Sequence, residues 1–186
     1  MFGKAAQALA STVILVSSVA ALWNQFGNDR ANDLVKEANA LVDLGQNSHN
    51  EAVPKFNSLA EAVHEFPANR AALEAPAREL GELYGRTAEQ FRQAAAKLDE
   101  ASKKPTDPVV VEYFTLRSRK WAKTAEAREL VRRYVLLVVD PTVRTPEELN
   151  ARRLELDERI SVIVKEEKSL EEASTKIQNE NSKKFD

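Results

Sequence analysis

The chain has no cysteine and only five glycines, two histidines and one methionine in 186 residues. Each scarcity removes a class of function. Without cysteine there is no disulfide, thiol nucleophile, thiolate metal site or lipid-modified cysteine. Five scattered glycines leave no glycine-rich phosphate loop, and almost no turn signal of the kind that joins adjacent strands. Two histidines fifteen residues apart, His49 and His64, have no His or Cys three or four positions away, so the zinc spacings are missing. A basic surplus is absent too. Lys and Arg total 27 against 29 Asp and Glu, a net charge of −2, which disfavours a generic nucleic-acid binder. No catalytic residue, cofactor or metal is assigned from the sequence.

One long uncharged run stands out. Ala5 to Trp23 reads AAQALASTVILVSSVAALW, with Lys4 before it and no further charge until Asp29. Nineteen residues is near the minimum for a helix crossing a bilayer. Three readings stand. The preferred one is an uncleaved membrane anchor, with Trp23 at the interfacial position such rings favour. The second is an export signal, with Lys4 as its basic start and Ser18-Val19-Ala20 as a small-x-small exit. The third is an alanine-rich helix packed on the rest of the chain. Gln7, Ser11, Thr12, Ser17 and Ser18 make membrane insertion marginal. Lys4 on one side and Arg30 and Lys36 on the other give almost no orientation. The short N-terminus resembles a signal-anchor, which places the body on the non-cytoplasmic, periplasmic side; the alternative is a soluble exported product after cleavage.

The remainder reads as four helices. Apolar positions recur in steps of four and three, the period of a helix stripe. The first stripe is Ala38, Val42, Gly45, His49, Ala52, Phe56, Leu59, Val63 and Phe66. Its unbroken register favours one kinked helix over about Arg30–His64, against a break between Gly45 and Asn50. Pro67 closes it, because the residue before a proline avoids helical backbone. The second stripe is Leu80, Tyr84, Thr87, Phe91, Ala94, Leu98 and Ala101, widened by Leu83, Ala88 and Ala95. Pro76 bends that helix roughly opposite position 58, about a turn from Pro54. Asp107-Pro108 opens the third helix, whose inner side holds Val110, Phe114, Trp121, Ala125, Val131, Val135 and Val138. Its last six residues, Tyr134 to Val139, have no polar face, and helix is favoured over strand there. Thr145-Pro146 with Glu148 is a capping box. It opens a fourth helix with Leu149, Arg153, Leu156, Ile160, Ile163, Glu167, Leu170, Ser174 and Ile177 on its stripe, and Glu148–Arg152 and Glu155–Arg159 as surface pairs.

The expected fold is therefore all-α. An N-terminal hydrophobic, membrane-anchoring segment (1–27) precedes an up-down-up-down bundle of four long antiparallel helices (28–180) and a polar, frayed tail (181–186). Each helix is a rod of roughly 50 Å, and short connections make neighbours antiparallel. A long extended hairpin array is the competing shape. The expected core includes Phe56, Leu59, Leu80, Tyr84, Phe91, Leu98, Phe114, Trp121, Val131, Val135, Leu156, Ile160, Ile163 and Leu170.

Candidate chemistry is sparse. Glu61-x-x-His64 matches half of a di-iron bundle motif, which needs two copies. Gly81-x-x-x-Gly85 reads as room for a bulky neighbour such as Trp121. The basic residues of the third helix, Arg117 to Arg133, face the acids of the fourth, Glu147 to Glu172, as a pairing device. His49 falls on the inner stripe. The preferred reading is that the helix is locally irregular there and leaves His49 wet; the other is a polar interior spot near Gly45, level with Gly85 on the second helix, and His49, Gly45 and Gly85 are then the candidate ligand lining. An enzyme would need Glu61, His64, Tyr84 or Arg117 to converge. The outline resembles bacterial membrane-tethered helical bundles, including the ligand-sensing bundles of chemoreceptors, but no residue motif carries that likeness and no second apolar run of that length is present. The leading functional expectation is a non-enzymatic, membrane-tethered structural or interaction module. Its partners are proteins, a second copy of itself among them, with the membrane met through residues 5–23 and no nucleic acid. The alternative is a sensory bundle holding a small molecule near His49, Gly45 and Gly85.

Overall fold

The computed structural model describes residues 29–105 and 107–185; the apolar run Ala5–Trp23 lies outside them. The described chain is helical, without a strand. The four helices are α1 (Asp29–Ala62), α2 (Arg70–Ser102), α3 (Pro108–Leu136) and α4 (Pro146–Glu180). Single 3₁₀ turns follow α1 at Val63–Glu65, α3 at Leu137–Val139 and α4 at Ser182–Lys184. None of the described helices is long and apolar enough to cross a membrane.

α1 is one helix through Gly45 and Pro54. The whole first stripe from Ala38 to Phe66 is buried, so an intact register outweighs the weak formers in its middle. Pro54 and Pro76 sit side by side. Together with Ser58, Leu59 and Leu73 they line a hollow of about 440 Å³ between α1 and α2, spanned at its rim by Lys55–Glu79 at 2.6 Å. Each proline lacks the backbone N–H that a helix interior uses. The second stripe is buried in full, as are the inner positions assigned to the third helix.

The helix starts are made as the sequence implies. Asp107 accepts a hydrogen bond from Val109 N at 2.8 Å, with Pro108 next. Thr145 and Glu148 form the complete capping box. Glu148 uses its carboxylate on the backbone N–H groups of Arg144 and Thr145, so the surface pair expected with Arg152 is replaced. Arg152 instead reaches Asp140 at 3.3 Å. Arg70 ties two connections together by donating to the carbonyls of Asp140 and Val143.

Cross-helix contacts fix the direction of each neighbour. Glu37–Lys97, Ser48–Gln90 and Lys55–Glu79 run antiparallel between α1 and α2. Arg117–Glu171 and Lys123–Glu166 do the same between α3 and α4. Among the described residues α1 packs on α2, α2 on α3 and α3 on α4, and α1 has no comparable face against α4. The arrangement is still not flat, because Phe56 of α1 meets Tyr134 of α3 with ring centroids 6.5 Å apart.

Two apolar clusters fill the interior. One holds Phe56, Leu59, Leu80, Tyr84, Val131, Tyr134 and Ile160. The other holds Leu34, Val35, Phe91, Leu98, Phe114, Trp121 and Phe185. Phe185 corrects the expectation of a frayed polar tail. After α4 the chain turns back, buries that ring against Tyr113 at 4.9 Å and pairs Lys184 with Asp107 at 2.7 Å. Leu170 is a second correction, for it is only half-buried. Glu171 turns into the α3 interface beside it, which rotates Leu170 to the edge.

Candidate functional site

Between the two apolar clusters lies a layer of buried polar side chains. His49 of α1 has no exposed surface, Thr87 of α2 and Thr124 of α3 have none, and Arg128 of α3 is 1 % exposed. The same four-three step puts them there. On α3 the sequence Phe114, Arg117, Trp121, Thr124, Arg128, Val131, Val135 continues one register without interruption. The two threonines close their hydrogen bonds within their own helices, Thr87 Oγ1 to Leu83 O at 2.8 Å and Thr124 Oγ1 to Lys120 O at 3.1 Å. They present methyl groups to their neighbours at little cost.

His49 lies against Tyr84, ring centroids 6.4 Å apart. The Tyr84 hydroxyl is buried with no hydrogen-bond partner among the described residues. Burial drives its pKa well above the ordinary phenol range, and the nearby Arg128 charge only partly opposes this. Tyr84 is therefore a neutral donor at any physiological pH and cannot serve as a base. Burial also lowers the pKa of Arg128, which the Glu167 carboxylate counters from α4. Toward the Asp140 turn, Arg153 of α4 lies over the Tyr134 ring at 5.1 Å. Burial pulls Arg153 down to about 10, so it stays a cation at neutral pH and gains from the ring face.

Of the three candidate ligand-lining residues, only His49 belongs to this layer. Gly45 lies beneath Phe91, where a Cβ would stand 2.8 Å from the ring, and Gly85 faces the Arg132 side chain at 3.4 Å. Gly81 makes the same kind of room for Leu136, at 2.9 Å. The glycines admit large neighbours, as expected, but not Trp121. That ring stacks on Phe91 instead, 5.1 Å away and tilted 17°.

The ionic groups of α3 and α4 form a second polar cluster. Arg117 and Lys120 are both buried and both reach Glu171, at 2.9 and 3.2 Å, and Lys123 reaches Glu166 at 2.8 Å. Lys120 Nζ also sits 3.4 Å from the Trp121 ring centroid. Burial alone would raise the Glu171 pKa, but the Arg117 and Lys120 charges hold its carboxyl below the ordinary range. The four groups that an enzyme would need together are apart. Glu61 and His64 are solvent-exposed near the end of α1, Tyr84 is with His49, and Arg117 is with Glu171. No group of three or more His, Asp or Glu side chains suited to a metal ion occurs among the described residues.

Sequence reasoning missed the burial of Lys120, Thr124 and Arg128. For Thr124 and Arg128 the signal was present in the α3 register, where they follow Trp121 by steps of three and four; Lys120 lies beside that register. Comparison with protein-family models, with curated proteins and with solved structures found no match.

Proposed function

We propose that this chain is a non-enzymatic helical module that works by protein contact and is held at a membrane through residues 5–23, with the helices on the non-cytoplasmic side. The observation that carries this reading is the structural use made of the chain's ionic groups, buried and exposed. Arg117, Lys120 and Glu171 are struts between α3 and α4, and Asp107 and Glu148 hold helix starts. Groups used in this way position the helices and the surface they present. Protein contact is supported by α4, which turns Leu154 and Val162 outward at 61 % and 55 % exposure. They are eight residues apart, about two turns along α4 and about 80° apart around it, and give that outer side two apolar points for a partner.

The test is to fractionate cells expressing the whole chain, wash the membranes in alkaline carbonate and determine the mature N-terminus. An intact chain that stays with the washed membranes supports the tether. A soluble product beginning near Ala21 or Leu22 replaces the anchor with a cleaved signal. Replacing Leu154 and Val162 with Lys should leave the melting temperature within about a degree or two, as surface changes do. It should reduce self-association or partner binding.

A second reading has its own support in the buried layer. A bundle that senses a small polar molecule would use His49, Tyr84 and Arg128, which supply a ring nitrogen, a phenol donor and a cation at one level. Thermal shift against small carboxylates and phosphates, in the parent and in Arg128→Met, separates this reading from the first.

A further inference from the structure

We propose that the hollow between α1 and α2 is a binding site for a small neutral molecule, largely apolar and bearing one hydrogen-bond donor such as a phenolic hydroxyl. It shares no residue with the layer of His49, Tyr84 and Arg128, and it stands apart from the tether and from protein contact. The sequence explains why the space is there. Pro54, Ser58 and Ala62 follow one another by four along α1, and Asn69, Ala72 and Pro76 by three and four at the start of α2. All six line the hollow, and each is short or a closed ring. Packed helices are joined where side chains fill the groove between them. Farther along this seam polar side chains reach across, with Lys97 on Glu37 and Ser48 on Gln90. Between the Lys55–Glu79 bridge and Asn69 none does. About 440 Å³ stays open there, a volume in the range of small-molecule sites.

The lining sets the ligand's chemistry. The floor is Leu59 and Leu73, each 2 % exposed, and the walls are the solvent-exposed Pro54, Ala62, Ala72 and Pro76. An apolar ligand body covers those walls, and that burial is favourable. Among the described residues, Lys55 and Glu79 are the only charged groups in the lining, and they pair with each other at 2.6 Å. An anion therefore finds no free cation there, and a cation must compete with Lys55 for Glu79. What the site lacks is a donor. Pro76 has no N–H to give to the Ala72 carbonyl four residues back. At the far end, Asn69 donates from Nδ2 to the Ala62 carbonyl at 2.7 Å, which fixes the orientation of its amide. Its Oδ1 is then left buried, without a hydrogen-bond partner among the described residues. Unpaired acceptors of this kind cost free energy, and a ligand O–H recovers it.

The test is an amide NMR titration of the full chain with three probes of one shape. They are 4-methylphenol, 4-methylanisole, in which a methyl ether replaces the hydroxyl, and 4-methylbenzoate. The site predicts shifts centred on Ser58, Leu59, Ala62, Ala72 and Leu73. It predicts that the phenol binds about three- to tenfold more tightly than the ether, the worth of one net hydrogen bond, and that the benzoate binds most weakly. Ala72→Trp fills the hollow from an exposed position and should abolish the shifts at unchanged helicity. Ser58→Phe does the same from the opposite wall, so the test survives if either variant disturbs its helix. Pro76→Ala returns an N–H to the Ala72 carbonyl, and it should bring the preference for phenol over ether toward one. No shifts at these residues in the parent chain overturn the site, as do equal shifts in both filled variants. Ether binding equal to phenol, a preference untouched by Pro76→Ala, or tighter binding of the benzoate overturns the ligand class.

Discussion

The two flanks of α3 are built from different physics. Toward α2 the contact is dry and shaped: Gly81 under Leu136, Gly85 under Arg132, Trp121 stacked on Phe91. Toward α4 apolar side chains such as Ile160 are joined by charged ones: Arg117 and Lys120 on Glu171, Lys123 on Glu166. Dispersion and apolar burial do not titrate, so α2 and α3 form a pair indifferent to pH. A carboxylate shared by two buried cations does titrate, so α4 is held by a contact that conditions can loosen. The contact indifferent to acid is α2–α3, and the responsive one is α3–α4.

The sharpest way to break that contrast is at Phe91, which has no exposed surface and touches both Gly45 and Trp121. Phe91→Ala should cost about 3–5 kcal/mol, read as a lower denaturation midpoint, and the loss should be the same at pH 5 and pH 7. A pH-dependent loss would mean that the charged side also relies on this ring.

Glu171→Gln attacks the other flank. It leaves Arg117 and Lys120 buried without their anion, at a cost of about 1–3 kcal/mol near neutral pH. Because the folded-state pKa of Glu171 lies below its ordinary 4.5, its contribution is present above that value and is lost as pH falls through the folded one. The gap between parent and variant should therefore close in acid, and a constant gap down to pH 3 would remove the charge argument. The smallest expected effect is Thr145→Ala. Loss of the cap should lower stability by about 1 kcal/mol, with the midpoint shift as the readout, and an unchanged midpoint would place the start of α4 elsewhere.

Much of this arrangement was legible before any coordinates. The stripes of α1 and α2 were read to the residue, because each of these helices has one dominant buried face and a hydrophobic period reports it directly. α3 was harder. It lies between two partners, so its buried surface runs most of the way round and polar positions share it. Apolar residues alone then mark only part of the stripe, and Thr124 and Arg128 are visible only as steps in its register. Leu170 and Phe185 failed for a related reason. Periodicity assumes that a stripe runs straight to the helix end, whereas Glu171 rotates it and the tail brings in a ring from outside it. The register puts His49 on the inner stripe, but the reading preferred from the sequence is an irregular helix with His49 wet; the helix is regular and His49 is buried. Which side chains fill the space beside Gly45 and Gly85 depends on the depth at which helices interlock, which no period encodes.

Hydrogen exchange at pH 7 and in mild acid tests the central claim that the α3–α4 contact responds to protonation of Glu171 while the α2–α3 contact does not. The account predicts that, once the intrinsic pH dependence of exchange is divided out, protection falls on α4 around Glu171 as the pH drops through the folded-state value of that carboxyl, with α2 unchanged. Protection that falls equally on α2 and α4 would contradict it.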